Sequence, residues 1–263
     1  MTDIAIHGAA GRVGCRLIAL TGEDTELNLV AALEHSGHQR LGQDSGTVAG
    51  VAENGVLLSA ELNSAPQALI DFSLPEAVDG IVDQCIEKHI GLVMATTGFG
   101  EPTANRIRQA GDSIPVVWAP NMSLAVNLTM KLTEIASRVL NHAGADADVE
   151  ILERHHRFKA DSPSGTALKF GEIVKSQMEG LEEVHGREGQ VGQRPRNEIG
   201  YHAIRAGDDP GQHTILFGML GEKIELHVAA SNRDCYALGA LAAAKFVARS
   251  KPGLYSMMDV LGI

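Results

Sequence analysis

Aromatic residues and cysteine are both scarce in this chain. The first bears on the fold class, and the second on whether disulfides or metal sites are expected. Phe, Trp and Tyr make up 4% of the 263 residues, whereas glycine occurs 29 times. This balance is typical of an α/β protein built from aliphatic residues and tight turns. The three cysteines, Cys15, Cys85 and Cys235, are odd in number, widely spaced and set in apolar runs. They predict reduced thiols in a cytoplasmic protein, and neither a disulfide framework nor a metal site.

Long hydrophobic runs and an excess of positive charge are also missing. No apolar run reaches the length of about 20 residues that spans a bilayer. A predicted strand begins at Asp3, so we expect no signal peptide. With 22 Lys and Arg against 33 Asp and Glu, the formal net charge is −11, which argues against nucleic acid or an anionic membrane as the main partner. An acidic substrate would need a locally basic pocket.

The N-terminal part of the chain alternates short apolar runs with helical patterns. Helices are predicted after Gly11, after Pro75 and over 102–110. Five runs have strand character: Asp3–His7, "LNLVAALE", "QALIDFS", "GLVMATTGF" and "IPVVWAP". Strands and helices that alternate with short connections predict an α/β fold, with a parallel sheet covered by helices on both faces.

From about Met122 the pattern changes to one that predicts a second, α+β domain. Its first element is a long amphipathic helix whose apolar residues are Leu124, Leu128, Leu132, Ile135 and Val139. A strand is predicted in "DADVEILERHHRF", a helix from Gly165 and a long loop over 183–200. Three strand-like runs and an Ala-rich helix follow: "GYHAIRAG", "QHTILFG", "KIELHVAAS" and "CYALGALAAAKFVARS".

Three glycines, Gly8, Gly11 and Gly14, lie where the first predicted strand passes into the first helix. Glycines there let backbone N–H groups approach a pyrophosphate, and the helix N-terminus adds partial positive charge. Glu34 ends the second strand, where a carboxylate accepts hydrogen bonds from an adenosine ribose. The spacing G-x-x-G-x-x-G is a variant of the usual fingerprint, and an ordinary tight turn is the alternative. The strand, the helix and Glu34 together favour dinucleotide binding.

Two further segments follow predicted strands of the same sheet. They are Ala95-Thr96-Thr97-Gly98 and Ala119-Pro120-Asn121-Met122. Ligands of open α/β sheets bind at the carboxyl ends of strands, and these small and hydroxyl residues would let a nicotinamide ribose approach. Turn formation alone explains each segment equally well.

The stretch "ERHHRFKADSPSGTAL", from Glu153 to Leu168, concentrates basic and titratable groups in an acidic chain. Histidine ordinarily titrates near neutrality, so His155 and His156 are candidates for moving protons. Lys159 is a third candidate, because the proton affinity of a lysine depends on the charges around it. A helix that opens at Ser164 would offer free N–H groups and its dipole to a carboxylate. A solvated basic strand before a capped helix is the alternative for any single residue. The cluster as a whole favours reduction of a carboxylate substrate by hydride, followed by protonation.

Metal and serine-nucleophile chemistry have less support. Adjacent histidines are poorly spaced as metal ligands, and neither H-x-x-x-H on a helix nor C-x-x-C occurs. No G-x-S-x-G elbow is present for a serine triad. We therefore predict no metal.

Motifs in the same order along nearly the whole chain resemble the bacterial dihydrodipicolinate reductase family of the diaminopimelate–lysine pathway, also called 4-hydroxy-tetrahydrodipicolinate reductase. The resemblance rests most specifically on E-x-H-H-x-x-K-x-D-x-P-S-G-T-A. The matching stretches are "GAAGRVG", "ALE", "IDFSLPE", "ATTGF", "APNMS", "ERHHRFKADSPSGTAL", "AIRAGDDPGQHTILF" and "HVAASNRDCYALGAL".

The resemblance implies a Rossmann-type domain over 1–123 and 233–263, a substrate-binding and tetramerisation domain over 124–232, and hydride transfer from NADH or NADPH to a cyclic dicarboxylic imine. It gives His155 the role of proton donor and acceptor and Lys159 that of proton donor. Substrate-binding residues implied by the family are His156, Gly165, Thr166 and Arg233. Cofactor-binding residues implied by it are Gly8, Ala9, Ala10, Gly11, Arg12, Val13, Glu34, His35, Ala95, Thr96, Thr97, Ala119, Pro120, Asn121 and Met122.

Two departures from the family pattern affect the cofactor. Many members carry Arg directly after the glutamate where this chain has His35, and some carry Arg at Leu74. A 2′-phosphate needs cationic partners, so we expect NADH to serve at least as well as NADPH, although His38 or Arg40 could compensate. Two other functions stay open here. One is a related imine or amino-acid dehydrogenase with another dicarboxylate substrate, and the other is a non-catalytic nicotinamide sensor.

Overall fold

The computed structural model describes residues 1–263, which divide by their contacts into two compact units. The first contains Met1–Leu124 and Arg233–Ile263, and the second contains Ala125–Asn232. Leu124, which was predicted to begin the second domain, lies in the first unit. None of the helices is both long enough and apolar enough to cross a membrane.

Strands and helices alternate through most of the chain. The strands are β1 (Thr2–His7), β2 (Leu27–Leu33), β3 (Leu58–Ser59), β4 (Ala68–Asp71), β5 (Gly91–Met94), β6 (Pro115–Trp118), β7 (Asp148–His155), β8 (Glu182–His185), β9 (Glu198–Arg205), β10 (Gln212–Met219), β11 (Glu222–Ala229) and β12 (Gly253–Tyr255). The helices are α1 (Arg12–Glu23), α2 (Ser45–Ala49), α3 (Val78–Lys88), α4 (Glu101–Ala110), α5 (Leu124–His142), α6 (Gly165–Gln177), α7 (Asp234–Val247) and α8 (Met257–Leu261).

The first unit is built on a seven-stranded sheet in the order β12-β6-β5-β4-β1-β2-β3. Every neighbouring pair in it is parallel. Ile4 and Ile6 pack into one apolar cluster with α1 and α7, while Ala5 packs into the other with α3 and α4. Both faces of the strand are therefore covered, which explains its uninterrupted apolar sequence. The predicted Rossmann-type α/β fold is confirmed, and the strand order reverses between β1 and β4.

The second unit is built on a five-stranded mixed sheet in the order β11-β10-β7-β9-β8. β10 is antiparallel to β7 and β11, whereas β9 is parallel to β7 and β8. Alternate residues of β7 are buried, from Val149 to His155. The buried side chains of α6, including Phe170 and Val174, complete the core of this unit. A mixed sheet with helices matches the predicted α+β class.

The long amphipathic helix predicted from Leu124 forms as α5, and most of its apolar stripe is exposed. Leu128, Leu132, Ile135 and Val139 are 39% to 56% accessible. Its buried face contains Thr129, Thr133 and Ser137. Each of these hydroxyls donates to the carbonyl four residues earlier at 2.8 Å. Internally satisfied hydroxyls are buried without an unmet hydrogen bond, so apolar periodicity alone does not show which face packs.

Two other boundaries differ from the sequence prediction. The strand predicted through Phe158 ends at His155, because the N–H of Lys159 donates to the His156 carbonyl at 3.2 Å and closes a turn. The predicted loop over 183–200 contains most of β8 and the start of β9, since pairing with β9 overrides the polar sequence of β8. Short elements escaped prediction altogether, namely α2, β3, β12 and α8.

Candidate active site

The turn after β1 and the first turn of α1 each need a glycine. Gly8 has a φ of +77°, and a Cβ on it would meet the carbonyl oxygen of Phe72. A Cβ on Gly14 would meet the carbonyl oxygen of Gly8 and lie 2.7 Å from that of Ala9. The backbone therefore packs too closely for any other side chain at these positions.

The N-terminus of α1 fits an anionic ligand. Gly11 caps the helix without a side-chain hydrogen bond, so no side chain of the cap occupies the first-turn N–H groups. The Glu34 carboxylate lies against the same turn and accepts a hydrogen bond from the Ala10 N–H at 2.9 Å. Backbone donors beside a fixed carboxylate match a pyrophosphate next to a ribose.

The other predicted cofactor segments lie at the same edge of the sheet. Ala95–Thr97 follows β5 and Ala119–Met122 follows β6, which are neighbouring strands. His35 and His38 follow β2, with ring centroids 5.3 Å apart. Together with Arg40 they line a cavity of about 290 Å³. The structure thus brings the predicted cofactor residues of this unit to one edge.

A buried polar cluster at that edge was missed by sequence reasoning. Asp71, at the end of β4, is fully buried. Its carboxylate lies 2.6 Å from His7 Nδ1 and accepts a hydrogen bond of 2.6 Å from the Thr96 hydroxyl. Each residue follows or ends a different strand, and only the strand order brings them together. The sequence did contain a signal for this cluster: His7 and Asp71 are polar residues that end two strands after buried apolar runs.

In the second unit, His155 lies at the end of β7 beside a buried carboxylate. Its Nδ1 is 2.6 Å from Glu153 Oε2, two residues earlier on the same face of the strand. An ionised carboxylate only accepts hydrogen bonds, so His155 Nδ1 carries the proton and Nε2 is the nitrogen available for proton transfer. Gly211, with a φ of +139°, keeps space beside it, because a Cβ there would lie 2.8 Å from Nε2.

Two opposing effects act on the proton affinity of His155. Burial lowers its pKa, while the hydrogen bond and charge of Glu153 raise it; the balance is a pKa below the ordinary value. The nearby positive charges of Lys159 and Arg205 lower it further. His155 is therefore poised to give up a proton readily, while the adjacent Glu153 carboxylate stabilises its protonated form.

Ser164 begins the helix turn that follows the basic stretch. Its hydroxyl accepts the Ala167 N–H at 3.2 Å and caps α6. The same oxygen lies 3.1 Å from Nε2 of the buried His213, whose pKa is lowered to about 4 by burial. A Cβ on Gly165 would meet nothing within 4 Å. Ser164 is thus fixed by hydrogen bonds, and there is open space beside Gly165 at the N-terminus of α6, where a carboxylate would be favoured.

Lys159 and His156 lie in the turn after β7. Lys159 Nζ is 2.8 Å from Asp161 Oδ1, and the lysine side chain is 22% accessible. His156 is fixed through its backbone N–H, which donates to the Asp209 carbonyl at 2.8 Å. Its buried Nδ1 has no hydrogen-bond partner in the structure. An unsatisfied buried polar atom in a basic cluster fits a contact with a polar ligand.

The structure gathers His155, Glu153, Ser164 and the turn of Gly165 and Thr166 around the end of β7. Arg233 lies apart from them in sequence and unit, at the N-cap of α7 in the first unit. Sequence reasoning missed the parts played by Glu153, Arg205 and His213. Glu153 had a detectable signal, since it shares strand parity with His155.

Two family models together match nearly the whole chain. The family model described as dihydrodipicolinate reductase, N-terminus, matches residues 2–122, and the model described as dihydrodipicolinate reductase, C-terminus, matches residues 125–261. The 4-hydroxy-tetrahydrodipicolinate reductase of Rhodopirellula baltica is 59% identical, with 99% of this chain and 96% of that protein covered. That of Alkalilimnicola ehrlichii is 46% identical over 100% and 99%.

A solved structure shares the fold. Dipicolinate-bound dihydrodipicolinate reductase from Paenisporosarcina sp. TG-14 superposes with a TM-score of 0.79 at 24% identity, covering 98% of each chain. An amine dehydrogenase from Mycobacterium smegmatis has a TM-score of 0.66 at 10% identity, so the fold alone is common to several activities. The family models and the sequence identities are specific, and this chain belongs to the dihydrodipicolinate reductase family.

Proposed function

We propose that His155 and Lys159 supply the protons for the reaction of this family, the NAD(P)H-dependent reduction of 4-hydroxy-tetrahydrodipicolinate to tetrahydrodipicolinate in diaminopimelate and lysine biosynthesis. The observation that carries the proposal is the Glu153–His155 pair, held at 2.6 Å, with Glu153 also bonded to the Ser164 N–H at the start of α6. It combines a proton-transfer group with an anion site, which the reduction of a dicarboxylate requires.

We assign the two units different ligands. Met1–Leu124 with Arg233–Ile263 would bind the dinucleotide through the Gly8–Val13 turn, Glu34 and the segments after β5 and β6. When bound, NADH or NADPH supplies the hydride. Ala125–Asn232 would bind the substrate. Support comes from the uncapped N-terminus of α1 in one unit and the basic cluster after β7 in the other.

Within the substrate unit, each residue has a distinct task. The Gly165–Thr166 turn holds a substrate carboxylate with its N–H groups, and His156 Nδ1 makes a further polar contact. His155 Nε2 exchanges a proton with the substrate while Glu153 holds Nδ1. Lys159 donates a proton and is then recharged from solvent, since its side chain is partly accessible. Arg233 belongs to the first unit, and we assign it to the substrate carboxylates because of its charge and its match to the family motif.

One assay tests the activity directly. The purified protein is mixed with NADH and enzymatically generated 4-hydroxy-tetrahydrodipicolinate, and the loss of NADH absorbance is followed. We expect rapid oxidation with this substrate and none with simple keto acids plus ammonia. Turnover of the keto acids alone would point to an amino-acid dehydrogenase. No turnover of any substrate, with dinucleotide still bound, would point to a sensor.

We expect kcat/KM with NADH to equal or exceed that with NADPH. An imidazole at position 35 replaces the guanidinium that pairs with a 2′-phosphate, and the neighbouring Glu34 carboxylate repels one. His35→Arg is expected to raise kcat/KM for NADPH about 10–100-fold, the value of a charge-assisted hydrogen bond. Steady-state kinetics with both cofactors check this, with Arg40→Ala testing compensation. A large NADPH advantage in the unmodified protein would refute the prediction.

We also propose a homotetramer assembled through the sheet of the second unit. Leu152 and Ile204 are 38% and 51% accessible on its outer face, opposite the face that carries Glu153 and His155. Exposed apolar side chains on a sheet face support association. Light scattering should give four times the 27.9 kDa of one chain. Ile204→Lys should lower the mass, whereas Leu254→Lys in the first unit should not. A monomeric unmodified protein would contradict the proposal.

We further propose a cytoplasmic location. The three cysteines are free, as expected in a reducing compartment, and the reaction consumes a reduced nicotinamide. Cell fractionation with an antibody against the chain tests this location.

A further inference from the structure

The Glu153 carboxylate uses all of its hydrogen-bonding capacity inside the second unit. Oε2 lies 2.6 Å from His155 Nδ1 and accepts Arg205 Nη1 at 2.7 Å. Oε1 accepts Arg205 Nη2 at 2.6 Å and the Ser164 backbone N–H at 3.1 Å. Two acceptor sites on each oxygen are thereby filled. With a side chain only 1% accessible, Glu153 has neither room nor a free lone pair for substrate.

The partners of Glu153 belong to both functional parts of this unit. His155 is the proposed proton-transfer group, and Ser164 opens the turn proposed to hold a substrate carboxylate. The buried Glu153 side chain is therefore hydrogen-bonded both to the proton-transfer group and to the proposed carboxylate-binding turn. Arg205 fixes it in turn, because Arg205 Nη2 also donates to the Asp161 carbonyl at 2.7 Å. The carboxylate is thus clamped between β7, β9 and the loop before α6.

We propose that Glu153 is a positioning residue that sets both the tautomer of His155 and the position of the Ser164–Thr166 turn. It thereby fixes the proton-transfer group relative to the carboxylate-binding turn. This inference rests on the proposed function and deepens it. Glu153 acts through other groups and touches no substrate. Because it accepts from His155 Nδ1, the reactive lone pair or proton is confined to Nε2.

The charge of Glu153 also affects the pH range over which His155 is protonated. The groups that face His155 are Glu153 on its own strand, Lys159 in the following turn, Arg205 on β9 and His213 on β10. Glu153 is the only negative charge among them. Removing it would lower the pKa of His155, so a step that needs the imidazolium would be lost at lower pH.

A matched control lies on the same strand. Glu150 is also a largely buried carboxylate with two arginines and one histidine: Arg187, Arg194 and His202. It belongs to the opposite face of β7 and contacts neither His155 nor Ser164. Glu150→Gln therefore removes a comparable ion cluster without touching the proposed site.

The experiment compares Glu153→Gln, Glu153→Asp and Glu150→Gln with the unmodified protein. Glutamine keeps the shape but presents an amide that can donate to His155 Nδ1, which favours the other tautomer. We expect Glu153→Gln to lower kcat about 10–100-fold and to move the high-pH limb of kcat to lower pH. Glu153→Asp keeps the negative charge and should leave the high-pH limb of the kcat profile at the pH seen in the unmodified protein. Glu150→Gln should change neither kcat nor the pH of that limb, even if it lowers thermal stability.

A spectroscopic readout keeps this test separate from the activity. Nitrogen-15 histidine spectra should show the Nδ1–H tautomer of His155 in the unmodified protein and in Glu150→Gln, and a changed tautomer in Glu153→Gln. If the His155 tautomer and the high-pH limb of kcat are the same in Glu153→Gln as in Glu150→Gln, the positioning role is wrong. If the unmodified protein fails to turn over the substrate, the proposed function fails, while the tautomer measurement still decides the role of Glu153.

Discussion

Replacing His155 or Lys159 with alanine is expected to lower kcat about 10²–10⁴-fold, the range in which general acid–base groups contribute. NADH binding should be unaffected, since both residues lie in the second unit and the proposed dinucleotide residues lie in the first. Turnover and NADH affinity, the latter by calorimetry, are measured on the same preparations. The loss should be in kcat more than in KM, because proton transfer matters in the transition state.

A neighbouring lysine provides the control for this prediction. Lys169 lies close in sequence and forms an exposed ion pair with Glu172 at 2.9 Å, which contributes little to stability. Lys169→Ala should therefore retain near-normal kcat, which separates loss of a specific proton donor from loss of positive charge in the region. If His155→Ala and Lys159→Ala both stay near the unmodified rate, the assignment of the proton donors is wrong.

The parallel sheet of the first unit was predictable because its signals are local. Strands buried on both faces, such as β1 and β4, are short apolar runs, and the helices between them show a regular apolar period. The glycines between β1 and α1 mark a turn that only glycine can make. Where local pattern and tertiary packing agree, sequence suffices.

The second unit was less predictable because its decisive contacts are between distant residues. The orientation of α5 depends on hydroxyls that bond within the helix, which apolar periodicity cannot reveal. β8 is a strand through its pairing with β9 and not through its own composition. Arg205 is 52 residues from Glu153, and His213 is 49 from Ser164. The basic stretch itself was visible, but the network that orients it depends on strand order.

Arg205→Met is expected to lower the free energy of unfolding by roughly 3–5 kcal/mol at neutral pH, the typical result of leaving a buried charge without its partner. Arg205 donates two guanidinium hydrogen bonds to Glu153, at 2.6 and 2.7 Å. Met removes these while keeping much of the side-chain volume. Urea denaturation gives the free energy, with an unchanged m-value as the check that the transition remains comparable.

Arg187→Met is the matched control for this loss. Its carboxylate partner, Glu150, keeps contacts with Arg194 and His202, so a smaller loss is expected. The double variant Glu153→Gln/Arg205→Met should recover part of the stability, because it removes the stranded charge. If Arg205→Met costs no more than Arg187→Met, or the double variant recovers nothing, Glu153 is not a buried charge that depends on Arg205.

The pH dependence of this loss follows from the Glu153 pKa. Burial raises that pKa, but the hydrogen bonds from Arg205 and His155 outweigh it and hold the pKa below its ordinary value. A carboxyl group with a lowered pKa in the folded state stabilises the fold above its unfolded pKa, and this stabilisation is lost as the pH falls through the folded value. In Arg205→Met the folded pKa of Glu153 should rise. The stability difference from the unmodified protein should therefore be largest near neutral pH and shrink under acid, where Glu153 is protonated in the variant and its charge no longer needs a partner.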